Sequence, residues 1–286
     1  MIPSFQKLTR PIAYLYLSFI LMVLYFPFII MAVLSFQGPR GGHTFPMRDT
    51  STIWYWKLFN PGKLTEYSDV GEFLGDYLGA LQRSLLLAVI TLIISTVFAL
   101  MAAQAFRRGF RGSNGIFYLW LLGIIVPGIT VSLGSALIVQ SLDIVPHWLT
   151  TGLAVHVVWT LPFSLVVFLM FFNRFDSSLE DAALTLGATH WQAFRHVTLP
   201  LMQPAVLTSM LFAFTLSLDE FQRSLLITGN EQTLPVMVMA SVTTRVTPTL
   251  YALGTLTTLL SFVVVGGYLV LMTLSLRRSR RADMAS

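Results

Sequence analysis

Six stretches of this chain carry no Asp, Glu, Lys or Arg. They run between Arg10 and Arg40, Arg83 and Arg107, Arg111 and Asp143, Asp143 and Arg174, His196 and Asp219, and Arg245 and Arg277. Each is longer than the ~20 residues an α-helix needs to cross about 30 Å of hydrocarbon. The runs predict an all-α membrane protein with six transmembrane helices, at about 11–36, 84–106, 115–140, 149–172, 204–226 and 251–276. A polar loop, 173–203, separates the fourth span from the fifth. No internal repeat or low-complexity linker interrupts the chain, so 1–286 reads as a single domain.

The composition agrees, with 55% hydrophobic and only 11% charged residues, which excludes an ordinary soluble domain. An even number of spans puts both termini on one side. Lys7, Arg10, Arg107, Arg108, Arg111, Arg174, Arg195, Arg277, Arg278, Arg280 and Arg281 fall on that side. The opposite side balances fewer basic residues with Asp49, Glu66, Asp69, Glu72 and Asp76. The positive-inside bias therefore predicts cytoplasmic termini and a cytoplasmic 173–203 loop. The net charge of +5 reports topology and contact with anionic headgroups, not nucleic acid. There is no cysteine, so disulfide and thiolate chemistry are excluded. The first apolar run lacks a small-residue cleavage signal and reads as a span, not a removed signal peptide.

The loop is built more carefully than a connector needs. Ser177 reads as an N-cap whose capping box is completed by Glu180. Leu179, Ala182, Ala183 and Leu186 give the first short helix an apolar face, and Gly187 suits a left-handed C-terminal cap. Thr189 and Gln192 form a second box. Trp191, Phe194 and Val197 ridge the second helix, and Leu199-Pro200 stops it.

The run Asp181-Ala182-Ala183, Gly187, Val197-Thr198-Leu199-Pro200 resembles the EAA loop of permease subunits of binding-protein-dependent ABC importers. Asp181 stands for the usual Glu and Val197 for the usual Ile. The resemblance implies that Glu180, Asp181, Ala182, Ala183, Gly187, Phe194, Val197, Leu199 and Pro200 form a cytoplasmic coupling helix-turn-helix that docks on a separate ATPase. The outside pattern Phe45-Pro46 and Trp54-Tyr55-Trp56-Lys57-Leu58-Phe59 also resembles a loop of polyamine-type permeases. It reads equally as an interfacial aromatic belt.

No Gly-x-x-x-x-Gly-Lys-Ser/Thr run exists, Gly62-Lys63 lacking both the upstream glycine and the following hydroxyl. The chain therefore has no ready cradle for nucleotide phosphates. His43, His147, His156, His190 and His196 show no metal-ligand spacing. Ser135 and His156 on adjacent spans suggest a hydrolase dyad, but buried packing roles are commoner and no protease motif surrounds them. The remaining signal is Asp219-Glu220-Phe221-Gln222-Arg223 in the fifth span, since intramembrane carboxylates by default mark a function. With Ile227-Thr228-Gly229 and Thr233-Leu234-Pro235-Val236, this run resembles the fifth-span region of spermidine/putrescine-type permeases. Leu218 departs from the aromatic residue usual there. Asp219, Glu220, Phe221 and Arg223 are thus the substrate-path candidates, with an internal ion pair to Arg223 as the competing role.

The reading that results is an importer permease for a small, amine-bearing, polyamine-like solute, with neither a catalytic residue nor a metal or cofactor site of its own. The resemblance implies a second permease, a cytoplasmic ATPase dimer that binds ATP and Mg, a periplasmic substrate-binding protein, and a bacterial inner membrane location. An opine or other zwitterionic amine is the alternative solute, should the site hold both signs. A stand-alone ion-coupled transporter would show repeats and buried ionisable groups in several spans.

Overall fold

The computed structural model describes residues 3–39, 47, 49–60, 76–244 and 247–285. Of the residues named above, Arg40, His43, Phe45, Pro46, Gly62, Lys63, Glu66, Asp69, Glu72 and Arg245 lie outside these. So do the side chains of Lys7, Arg10, Arg277, Arg278, Arg280 and Arg281. Twelve α-helices follow one another among the described residues, and the one β-contact there is a bridge from Gln37 to Thr50. Among the described residues, four helical stretches are long and apolar enough to cross a membrane: Pro11–Leu34, Tyr77–Arg108, Trp148–Phe172 and Pro248–Leu274. Two bent pairs bring the count to six if each is one span.

The chain divides into two compact units, Met1–Tyr77 with Ser241–Phe262, and Leu78–Ala240 with Val263–Ser286. In the first unit, α1 (Pro3–Leu34) contains Pro11 and Pro27 and presents large apolar side chains outward, Leu15 at 77% exposure among them. Such a helix belongs in apolar solvent. The segment after α1 then closes on itself, with Gly38 N donating to Asp49 O (2.7 Å) and Ser51 N to Phe36 O (2.8 Å). On α2 (Ile53–Phe59), Trp54 is buried and Tyr55 bonds Ser35 (2.6 Å), whereas Trp56 and Phe59 are exposed. Helical spacing thus splits the expected aromatic belt into an inward and an outward pair.

The second unit contains nearly all of α3 (Tyr77–Arg108) together with α4 (Ser113–Ile125), α5 (Gly128–Ser141) and α6 (Leu153–Phe172), the last preceded by a π-helical turn Trp148–Gly152. The short helices α7 (Ser178–Thr185), α8 (His190–Ala193) and α9 (Leu199–Leu201) follow, then α10 (Gln203–Leu218) and most of α11 (Leu234–Thr244). The C-terminal part of α12 (Pro248–Ala285) completes it. Buried Ala205, Ser209, Ala213 and Ser217 recur every four residues on α10. His156, Thr160, Ser164 and Phe168 do the same on α6. Small and hydroxyl side chains at this spacing let helix backbones approach closely without a hydrophobic driving force. Ser95 on α3 bonds Thr160 (2.6 Å), and Thr96 bonds Ser209 (3.3 Å). An apolar cluster of Ala99, Ala103, Leu165, Phe168, Phe172, Met202 and Ala205 lies at one end of this bundle.

Two spans depart from the sequence reading. The 115–140 segment, in which Pro127-Gly128 predicts a bend, bends there so far that it breaks at Val126-Pro127 into α4 and α5 at 104°. The fifth span was expected to run to 226, yet α10 stops at Leu218 and residues 219–233 continue as turns. In and beside the polar run Asp219 to Arg223, Glu220 Oε1 accepts from Arg223 N and Ser224 Oγ donates to Glu220 O, both at 2.8 Å, side-chain bonds that take the place of the helix ladder.

Candidate functional site

The 173–203 loop folds as α7 and a second helical stretch that runs from His190 through α8 and α9 to Leu201; Leu199-Pro200 starts α9 instead of stopping the helix, and the first cap also differs from expectation. Ser177 makes no side-chain cap bond. Asp176 Oδ1 instead accepts from Ser178 N (3.0 Å), and that bond leads the causes holding the Asp176 carboxyl below its ordinary range. Gly187 has φ +91°, with Ala188 N donating to Ala183 O and Gly187 N to Leu184 O, both 3.0 Å. These are the two bonds of a Schellman cap. The second box is made in full, Thr189 N donating to Gln192 Oε1 (2.7 Å) and Gln192 N to Thr189 Oγ1 (3.3 Å). After a π-helical turn Phe194–Thr198 and α9, the chain bends 69° at Met202 into α10. Asp181, Ala182, Gly187 and Pro200 are exposed, and Ala183, Phe194, Val197 and Leu199 are half-buried. Leu186 is 88% and Trp191 65% exposed, so the hairpin presents apolar surface that nothing within the unit covers.

Glu180 is engaged elsewhere. Its Oε1 accepts from Arg107 Nη1 (3.1 Å) and its Oε2 pairs with Nη2 (3.0 Å), a two-pronged contact to the end of α3. Thr198 Oγ1 also donates to Glu180 Oε1. The Arg107 guanidinium lies 5.3 Å from the Phe172 ring centre and 4.8 Å from that of Phe175. Burial pushes the Glu180 carboxyl up, but the Thr198 and Arg107 bonds outweigh it and hold the group below its ordinary value of 4.5. A groove of about 900 Å³ opens beside this node, lined among others by Met101, Arg108, Asp181, Leu184, Trp191 and Phe194.

The second polar site lies in the 219–233 segment. Asp219 caps the end of α10 and is exposed. Glu220 is buried and pairs not with solvent but with Arg223, whose Nη1 lies 3.0 Å from Oε2 and whose backbone N donates to Oε1 (2.8 Å). The helix spacing that would bring Arg223 toward Asp219 is lost with the helix, and an i,i+3 turn brings it to Glu220 instead. The guanidinium stacks on Trp159 (3.4 Å from the ring centre), and Nη2 reaches Val126 O at the α4–α5 break (3.5 Å). Phe221 is half-buried. Both ring nitrogens of His156 are taken, by Ser217 and Ser224 Oγ at 2.8 Å each, leaving none for Ser135.

Side chains of neighbouring helices satisfy two backbone groups of this unwound segment and the first amide of α11, as irregular chain among apolar spans requires. Ser132 Oγ accepts from Leu226 N (3.3 Å), Thr151 Oγ1 donates to Ile227 O (2.6 Å) and Ser84 Oγ accepts from Leu234 N (2.8 Å). Gly229, at φ +69°, packs so that a Cβ would fall 2.3 Å from Pro146 O. Among the described residues no cluster of His, Asp and Glu could hold a metal.

Sequence reasoning missed Arg107, Thr198 and Trp159. Arg107 counted only as a topology charge. A signal was present for it, a basic residue at the end of an apolar run that must reach past the headgroups or find an acid.

Residues 95–281 match the family described as binding-protein-dependent transport system inner membrane component. The chain is 31% identical over 244 residues to the putrescine transport system permease protein PotI of Escherichia coli, covering 82% of this chain and 80% of that one. It is 30% identical over 253 residues to the spermidine/putrescine transport system permease protein PotC of the same species, covering 87% and 89%. A chain of a bacterial ABC transporter involved in the import of the acidic polysaccharide alginate shares the fold, with TM-score 0.64, 14% identity and 98% coverage of both chains.

Proposed function

Because this chain belongs to the family of inner membrane components of binding-protein-dependent transport systems, we propose that it lines the translocation path for a small polyamine-like cation. Membership makes it a multi-pass permease subunit of an importer. In the proposed complex it pairs with a second permease, receives solute from a periplasmic binding protein, and is driven by a cytoplasmic ATPase dimer that binds the ATP and Mg. Both termini and the 178–201 hairpin face the cytoplasm, and 1–286 acts as one transmembrane domain. Asp181, Gly187 and the exposed apolar residues of the hairpin meet the ATPase.

One observation carries the solute class. Glu220 and Arg223 spend their charges on each other inside the protein, which leaves Asp219 as an exposed carboxylate at the end of α10. A zwitterion would need an available cation as well, and the Arg223 guanidinium is committed to Glu220, Trp159 and Val126. A site with one free negative charge favours an amine, and the similarity to two putrescine permeases supports the same class. Uptake of labelled putrescine into proteoliposomes carrying the complete complex tests this. Asp219→Asn should lower uptake while ATP hydrolysis persists; equal uptake by the variant removes Asp219 from the path.

A further inference from the structure

We propose that Glu180 is the joint through which the 178–201 hairpin carries the second span, so that α7 and the Arg108 end of α3 move as one body through the transport cycle. The inference rests on the reading that the hairpin receives force from a separate ATPase. The chain itself ties α7 only to α6 and, through α8 and α9, to α10. Force travelling along the backbone therefore reaches the fourth and fifth spans. The second span is joined to α7 across 73 positions by side chains alone.

That junction is unlike an ordinary exposed salt bridge, in which two long flexible chains gain little from meeting. Both partners are braced. Arg107 is set against Phe172 and Phe175, from the end of α6 and just beyond it. The carboxylate is held as well by the Thr198 hydroxyl, which donates to the same Oε1 and is itself fully buried just before α9. Two parallel N–H to O contacts at 3.1 and 3.0 Å then define the angle as well as the distance. One carboxylate so gathers α3, α7 and the turn into α10, with the end of α6 holding its partner. Asp181, the neighbouring acid, points outward and stays available for the ATPase. Neighbouring acids thus divide two tasks, one fastening the hairpin inward and the other facing out.

The absence of cysteine from the chain makes a clean test possible. The double variant Arg107→Cys/Glu180→Cys deletes the bridge and allows a short bifunctional thiol reagent to replace it. In proteoliposomes with the ATPase, the binding protein and labelled putrescine, the unlinked variant should assemble and hydrolyse ATP. Its uptake per ATP should fall about tenfold, the scale set by losing one charge-assisted bonded pair. Cross-linking should restore uptake, and the cross-linking yield should be the same with and without ATP-vanadate trapping. Glu180→Gln, which keeps the size of the side chain, should uncouple in the same direction. Normal coupling in the unlinked variant, no rescue on cross-linking, or a yield that changes on trapping overturns the joint alone. Failure of the wild-type complex to perform ATP-driven uptake overturns the coupling reading and the joint with it.

Discussion

The buried Glu220–Arg223 pair offers the most direct test of how the 219–233 segment is held. Replacing Arg223 by Met keeps a long side chain against Trp159 but removes the guanidinium. Lost with it are the 3.0 Å pair to Glu220 Oε2, the 3.5 Å bond to Val126 O and the stacking at 3.4 Å on Trp159. Glu220, 7% exposed, is then an uncompensated carboxylate beside an apolar helix break. Removing one partner of a buried pair costs about 3–5 kcal/mol, and that is the expected loss for Arg223→Met. Glu220→Gln should cost less, because an amide oxygen still accepts from Arg223 N. The double variant should recover much of the loss, since two neutral side chains leave no stranded charge, with a coupling energy of about 1–3 kcal/mol. Unfolding by titration with denaturing detergent in mixed micelles reads all four corners of the cycle. Single variants within ~0.5 kcal/mol of wild type and no coupling between them would refute a buried, mutually neutralising pair. Its loss would also remove the reason for leaving Asp219 as the free charge.

Three further outcomes are expected. Gly187 has open space where a Cβ would go, so the cost there is the left-handed backbone and not a collision; Gly187→Asn should couple normally, whereas Gly187→Val should insert yet hydrolyse ATP without uptake. Gly229→Ala meets both a φ of +69° and the Pro146 carbonyl at 2.3 Å, and it should lower stability by more than about 2 kcal/mol in the same detergent titration. Glu180 has a folded pKa held below its ordinary 4.5, so its contribution is fully present above that value and is lost as pH falls through the depressed one. Thermal stability should be flat through this group from neutral pH down to about 5 and decline below, and Glu180→Gln should abolish that part of the decline.

Much of the architecture can be read from charge placement, because a charge-free run of sufficient length has one stable solution in hydrocarbon. Local chemistry was equally legible at Gly187 and at Thr189-Gln192, where the bonds form between residues a few positions apart. The failures share a different cause. Glu180 is drawn from the expected box by Arg107, far away in sequence, and Asp176 takes over the capping one position before Ser177. Periodicity continues through Leu225 and Leu226, so nothing apolar announces that α10 ends at Leu218. The polar run from Asp219 to Arg223 and Gly229 are the available signals, and a polar run within a span fits a ligand site and a helix stop alike.

The early stop of α10 has a physical consequence for where solute can pass. Its 16 residues span about 24 Å, short of the ~30 Å hydrocarbon thickness, and α5 is similarly brief at 14 residues. The chain leaves the helix at Val126-Pro127 and again at 219–233, and Arg223 Nη2 joins the two breaks at Val126 O. A continuous helix offers a passing ion only side chains, since its carbonyls and amides are spent on its own ladder. An interrupted one exposes backbone groups wherever its neighbours leave any unbonded. Here Ser132 and Thr151 take up two of those groups, and Ser84 takes up the first amide of α11. Asp219, at the break and exposed, is therefore where both the helix end and a fixed negative charge meet. The carbonyl-rich C-terminal end of α10 adds to that charge, which supports the proposed role of Asp219 toward a cation.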